Sequence, residues 1–506
     1  MSTQPTPTRS LNLRSATLLV AFVSLGFVLS LLAYYVSSDY DRFSAPMAVA
    51  VVLGIPVLIG LAIVGLRKGL HHFSDLRANW TWWHWLLFLL FVSTLVFRVR
   101  DVAAATSEPV DAWALLRLGP EAIVAFVLIR RLISQRTEWL RPMFKGVLGA
   151  LAVYGMVCAL SSTWSVYASW TLYKSAEFLL DVSVFAAILC VVESADDYRQ
   201  VVNFVYCLYA LELGWTWVNA AIWPSEALDE LGRLSGIWPM TASNSVGIAS
   251  AIVIIVALAR LLGRAADKSE RPWYSLVLAF GTISLIASQT RNSMAGLVFG
   301  IALLLWYERK KWIGVVGLAM IVPVVLFTSV GPRIGAYLAR DQTESQIEGM
   351  SSRVDWWTFA WQQFMHHPLT GLGAYAAGKF AVLGKMGVGI ASQMHSDWME
   401  VLAGTSFWGL VPFAVALLGC WWYLGSSYWD RSLDSSERQL AGETLAILGI
   451  ITLRSFFNVE MSWHAPFLFL IVVGYAEFLR RRKVQRAHPV VSHAVNEEVP
   501  ELVAQA

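Results

Sequence analysis

The chain reads as a series of continuous apolar runs, most of them near the ~20 residues that an α-helix needs to cross a bilayer, separated by polar connections. The first spans Ala16 to Val36, behind Arg9 and Arg14. Others follow at 47–66, 83–98, 112–130, 146–160, 172–192, 199–222, 240–259, 274–289, 293–306, 312–330, 398–424, 441–457 and 463–480. The runs are apolar throughout and do not alternate, which excludes membrane β-strands. The fold class expected is an all-α integral membrane protein with about fourteen transmembrane helices. The first run is longer than a signal-peptide core and ends in Tyr34-Tyr35 with no small-residue cleavage site, so it reads as a retained signal anchor. A cytoplasmic N-terminal segment 1–15, a polytopic membrane domain 16–484 and a disordered cytoplasmic tail 485–506 complete the expected organisation.

Composition sharpens this reading. Only 14% of residues are charged, against about 25% in soluble domains, so the 506 residues leave little for a soluble domain. Mean hydropathy is +0.57. Many of the 24 tryptophans fall near run ends, where an amphipathic ring favours the headgroup layer. Cys158, Cys190, Cys207 and Cys420 lie inside apolar segments without Cys-x-x-Cys spacing, which indicates neither a disulfide framework nor a metal site. No phosphate-binding P-loop or dinucleotide fingerprint is present. No cofactor, no metal and no nucleic acid partner are expected; the lipid bilayer is.

The net charge of +3 conceals an uneven distribution. Arg67, Lys68 and Arg77; Arg130 to Lys145; Arg260 to Arg271; Arg309 to Lys311; and Arg480 to Lys483 all fall on one side of the expected helices. The positive-inside rule makes that side cytoplasmic, together with both termini. The opposite side receives Ser37–Pro46, Val99–Asp111, Ser161–Trp170, Trp223–Pro239, Thr290–Asn292, a long loop 331–396 and the turn near Asn458.

That loop carries the candidate chemistry. Arg353 to His366 has Val354, Trp357, Trp361, Phe364 and Met365 at helical spacing, which predicts an amphipathic helix ended by Pro368. Such a helix either lies on the membrane and neighbouring helices or roofs a cavity that admits lipid. His366 and His367 read as exposed turn residues, and the glycines at 371, 373 and 378 permit tight turns. His395 stands where the loop meets an apolar helix and is suited to proton exchange. Asp397 and Glu400 have the spacing of a capping box; Glu400 alternatively assists the histidine. Outer-side positive charge is not explained by topology. Arg233, Arg291 and Arg353, with Lys174 and Arg454 at or just inside helix ends, each suit a snorkelling or structural role, and together suggest an anion site. Guanidinium groups match diphosphate oxygens and stay charged.

These stretches carry a resemblance. Leu160-Ser-Ser-Thr-Trp-Ser165, Arg233-Leu-Ser-Gly-Ile-Trp-Pro with Asn244, Ser288-Gln-Thr-Arg-Asn-Ser-Met-Ala-Gly296, Arg353 followed by Trp357, Pro368-Leu-Thr-Gly-Leu-Gly373 and His395-Ser396 with Gly409 resemble, in this order, the O-antigen ligase and polymerase superfamily of bacterial membrane glycan transferases. The resemblance covers about residues 150 to 475. Ligases of that family typically place Gly-x-x-Gly nine residues after the His-Asn/Ser pair, and here the first of those glycines is Ser406.

The resemblance implies a GT-C-like fold and metal-independent, inverting transfer of a glycan from an undecaprenyl diphosphate carrier to a hydroxyl acceptor at the periplasmic face of the bacterial inner membrane. His395 would be the base, with Arg291 and Glu400 as further catalytic residues. Arg233, Arg291, Arg353, Lys174 and Arg454 would bind diphosphate. The acceptor is lipid A-core for a ligase and a growing glycan for a polymerase. A polysaccharide or lipid transporter is the alternative from another class, although the chain shows no internal repeat.

Overall fold

The computed structural model describes residues 80–487 except 97–101, 108–111, 230, 264–269, 317–318, 320–352, 388–392 and 464–465, together with parts of 52–64. Among the described residues the fold is helical, and its β-structure is confined to two isolated bridges, Leu228 with Leu234 and Gly236 with Thr241. The helices are α1 (Trp82–Leu95), α2 (Val102–Ser107), α3 (Ala112–Gln135), α4 (Gly146–Leu160), α5 (Ala168–Val191), α6 (Ala195–Ile222), α7 (Ser243–Leu262), α8 (Arg271–Ser288), α9 (Arg291–Tyr307), α10 (Arg353–His366), α11 (Asp397–Ser426), α12 (Ser435–Ser455) and α13 (Phe467–Ala487). A 3₁₀ segment, Arg136–Phe144, joins α3 to α4.

Eleven of the expected runs have a helix in place. The runs at 16–36 and most of 312–330 lie outside the described residues, as do the N-terminal segment and nearly all of the tail, and 47–66 is described only in fragments. Among the described residues five helices are long and apolar enough to cross a bilayer: Ala112–Ser134, Gly146–Thr163, Ala195–Ile222, Ser243–Leu262 and Asp397–Ser426. Their surface is inverted relative to a soluble bundle. Trp408, Val411, Val415, Leu418 and Trp422 form an exposed stripe along α11, and Leu116, Ile123, Phe126 and Ile133 do so along α3. Faces of this kind suit lipid, and the chain is an integral membrane protein.

Helix ends differ from expectation where capping was decisive. Asp434 and Glu437 form a capping box that starts α12 six residues before the expected 441. Beyond 480, α13 runs on to Ala487, held by Arg480 and Arg481 on the buried Glu477.

The interior is organised around close contacts. Gly296 and Gly300 of α9 face the backbone of α12, where an added Cβ would stand 3.2 Å from the Ile450 carbonyl oxygen and 2.9 Å from that of Ala446. Small residues let two helices approach to backbone contact, as membrane interfaces favour. The helix start at Arg291 is thereby fixed against the helix that carries Arg454.

Candidate functional site

Helix α11 is broken near its start. Ser406 has φ 51° and ψ −142°, a conformation that costs a side chain on the order of 1–3 kcal/mol. The break frees helical carbonyls, and the 371–373 loop supplies donors: Leu372 N–H to Ala403 at 2.9 Å and Gly373 N–H to Gly404 at 2.9 Å. Gly371 and Gly373 hold φ of 66° and 99°, and a Cβ on Gly371 would meet the Gly404 carbonyl oxygen at 2.5 Å. The 160–165 stretch secures the same loop from the other side. Ser161 Oγ accepts from Ala374 N–H at 3.0 Å, and Trp164 Nε1 donates to the Thr370 carbonyl at 2.9 Å. Ser406 Oγ donates to the His367 carbonyl at 2.9 Å, tying the break to the end of α10.

His395 immediately precedes this helix, with φ 54°. Its Nδ1 lies 3.2 Å from Asn458 Oδ1, and its ring stacks 6.1 Å from Trp356 of α10. Trp357 Nε1 holds the Met394 carbonyl at 2.9 Å. Burial, reinforced by the charge of Arg353 and opposed by the Asn458 contact, lowers the histidine from 6.5 to about 4. The imidazole is therefore neutral at ordinary pH.

The amide and imidazole orientations follow from a chain of hydrogen bonds. Asn458 Nδ2 donates to Glu460 Oε1 at 2.7 Å, which leaves Asn458 Oδ1 as the acceptor facing His395. Nδ1 must then carry the proton, and Nε2 keeps the lone pair. Glu460 is held in turn by Arg454 Nε at 3.0 Å.

Four guanidinium groups share the region. Arg353 is lowered first by burial and then by the positive charges of Arg291, Arg454 and Arg233. Arg353 leads α10 and donates one terminal nitrogen to the Phe457 carbonyl at 2.9 Å. Arg233 sits in the loop before α7, where Asp229 takes its Nε at 2.6 Å and its backbone N–H at 3.0 Å. The terminal nitrogens of Arg233 have no hydrogen-bond partner among the described residues. Arg291 opens α9 directly after Gln289, whose φ of 48° ends α8.

Two expected anion ligands stand differently. Arg454 is 0% exposed, and Glu460, Asn292, Ser293 and the Asn244 carbonyl all engage its guanidinium. It is a tie between helices, already neutralised. Lys174 is buried against Glu177 at 2.7 Å, which also binds Arg117 at 3.0 Å. Lys174, Glu177 and Asp181 share the face of α5 turned toward α3, so this ionic group is separate from the arginines.

The capping-box reading of Asp397 and Glu400 is corrected. Ser396 is the N-cap, accepting from Met399 N–H at 3.5 Å. Asp397 instead accepts from the backbone of Glu460 at 3.0 Å, Met461 at 3.1 Å and Ser462 at 2.7 Å. Glu400 accepts from Met394 N–H at 2.5 Å and so shapes the backbone before His395; no contact joins it to the imidazole. Both acids anchor the loops that flank the histidine. His366 and His367 are exposed, as expected of turn residues.

The residues that sequence reading passed over are Asn458 and Glu460. Their signal was an amide and a carboxylate two apart in a short turn, four residues after an arginine in an apolar helix. Such a turn needs no charge for topology.

A histidine held neutral thus lies beside Arg353, whose guanidinium in turn feels the charges of Arg291, Arg454 and Arg233. Residues 274–414 match the family model described as O-Antigen ligase, and this stretch of the chain is similar to that family. The match includes Arg291, Arg353, His395 and Ser406 and excludes Arg233, Asn458 and Glu460. No curated protein matches the sequence.

Proposed function

We propose that the protein is a glycosyltransferase of the O-antigen ligase type, which moves a glycan from undecaprenyl diphosphate to a hydroxyl of lipid A-core at the periplasmic face of the inner membrane. The observation that carries this reading is the neutral His395 beside Arg353, which itself lies within the fields of Arg233 and Arg291. In the reaction the acceptor oxygen attacks the anomeric carbon and His395 Nε2 takes the acceptor proton. The bond from the anomeric carbon to the phosphate oxygen breaks, and its electron pair leaves with the lipid diphosphate. Negative charge grows on that diphosphate in the transition state, where pre-placed guanidinium groups stabilise it most. Displacement in line inverts the anomeric configuration. Asn458 and Glu460 hold the histidine in the tautomer that accepts the proton at Nε2, and α10 covers it through Trp356.

The test is transfer by purified protein supplied with a polyisoprenyl diphosphate-linked repeat unit, with and without lipid A-core, for wild type and His395→Ala. Product that depends on the core and disappears in the variant supports the ligase. A ladder growing on the carrier without core identifies a polymerase. Full activity of a folded His395→Ala variant removes the histidine from the mechanism.

A further inference from the structure

At the opposite end of the bundle a cavity of about 860 Å³ opens between the 3₁₀ segment, the C-terminal end of α5 and the last turns of α13. Arg141, Lys145, Arg480, Arg481 and Arg482 line it, against Glu138, Glu193 and Glu477. Glu477 is fully buried and already satisfied by Arg480, Arg481 and the Val147 N–H. Arg482 pairs with Glu437. Arg141 meets only Glu138, at 3.6 Å, with both side chains about three-quarters exposed, a pair of little strength in water. Lys145 has no acidic partner among the described residues. The cavity thus holds a positive surplus.

Part of its wall is apolar. Leu189, Val191 and Phe478 line the cavity, and Phe144 and Val484 are exposed on the segments that border it. Cations above an apolar wall, at the end of helices that cross a bilayer, match an amphiphile whose phosphate meets the bases and whose chains follow the wall. A free anion needs only the first of these features. The basic-residue distribution puts this end in the cytoplasmic leaflet. We infer that this cavity binds the headgroup of an anionic phospholipid, at a site separate from the arginine cluster.

The test uses full-length protein in phosphatidylcholine nanodiscs doped with a photo-crosslinking phosphatidylglycerol, with a matched phosphatidylcholine probe, and maps crosslinks by mass spectrometry. Arg480, Arg481 and Arg482 are left intact, because they balance buried carboxylates. Crosslinks of the anionic probe to the cavity wall are expected, falling about fivefold for each of Arg141→Gln and Lys145→Gln and retained in Lys145→Arg. Equal yield from both probes, unchanged yield in the double variant, or crosslinks confined elsewhere overturns the proposal. Loss of the crosslink on adding excess inorganic phosphate overturns it in favour of a free-anion site.

Discussion

His395 Nδ1 lies 3.2 Å from Asn458 Oδ1, and that contact decides which nitrogen of the ring is basic. Glu460 fixes the amide from behind, so the histidine presents an unprotonated Nε2. Its partners reach it from α10 and the turn after α12.

Replacing Asn458 should impair the chemical step more than donor binding. Asn458→Ala frees the ring to adopt either tautomer, and kcat is expected to fall by about 10- to 100-fold with KM for the donor little changed. Steady-state kinetics on the lipid-linked donor check this. An unchanged kcat would make the contact incidental.

The pH profile should carry the signature of the depressed histidine. Between pH 4 and 6.5 an ordinary histidine binds a proton that His395 does not, so the base form persists as pH falls to about 4. The acid limb of kcat/KM, which reports the free enzyme, is expected near that value and not near 6.5. Removing the charge of Arg353 by Arg353→Gln takes away one lowering influence and should move the limb upward. By the same linkage this group's contribution to stability is complete above pH 6.5 and declines as pH falls toward 4.

Arg291→Lys keeps the charge and loses the forked donor geometry. Transfer is expected to drop by at least about tenfold, since one ammonium cannot make a bidentate phosphate contact. Full activity in this variant, measured with saturating acceptor, would reduce Arg291 to a structural residue.

Ser406 separates strain from hydrogen bonding. Ser406→Ala keeps the unfavourable backbone and loses the bonds to His367 and Leu402, so it should destabilise by about 1 kcal/mol. Ser406→Gly loses the same bonds and relieves the strain, and should melt at or above the wild-type temperature. Thermal unfolding in detergent distinguishes the two.

The Arg454–Glu460 pair should behave as a buried tie. Glu460→Ala leaves the fully buried guanidinium uncompensated and is expected to cost about 3 kcal/mol or more, with a loss of activity that follows the displaced Asn458. Arg353→Ala, at an already half-open position, should lower activity with little change in unfolding temperature.

The helices and the arginine and histidine positions were legible because each depends on neighbours in sequence. An apolar run reports its own helix, and a guanidinium without a topological purpose draws attention wherever it lies. Lys174 looked equivalent to Arg233 on this basis, and each pairs with a carboxylate three or four residues away, but the Lys174–Glu177 pair is buried while Arg233 and Asp229 stay partly exposed. Asp397 and Glu400 had correct capping spacing, but Ser396 reaches the free N–H first, and the acids turn to loops 63 residues downstream and six upstream. Boxes form instead at Thr81 with His84, Ser194 with Asp197 and Asp434 with Glu437.

By itself the sequence determined a bilayer-spanning helical chain, a polar loop placed before α11, and the presence there of a base and several fixed cations. Periodicity and composition are enough for these, since hydrophobic burial in lipid is a property of each segment alone. Only the tertiary structure decided that Arg233, Arg291 and Arg353 lie near one another, that Arg454 is buried against Glu460, and that Asn458 and Glu460 orient the histidine. Those outcomes depend on which carboxylate reaches which donor across helices far apart in the chain, and electrostatic energy is set by that separation in space.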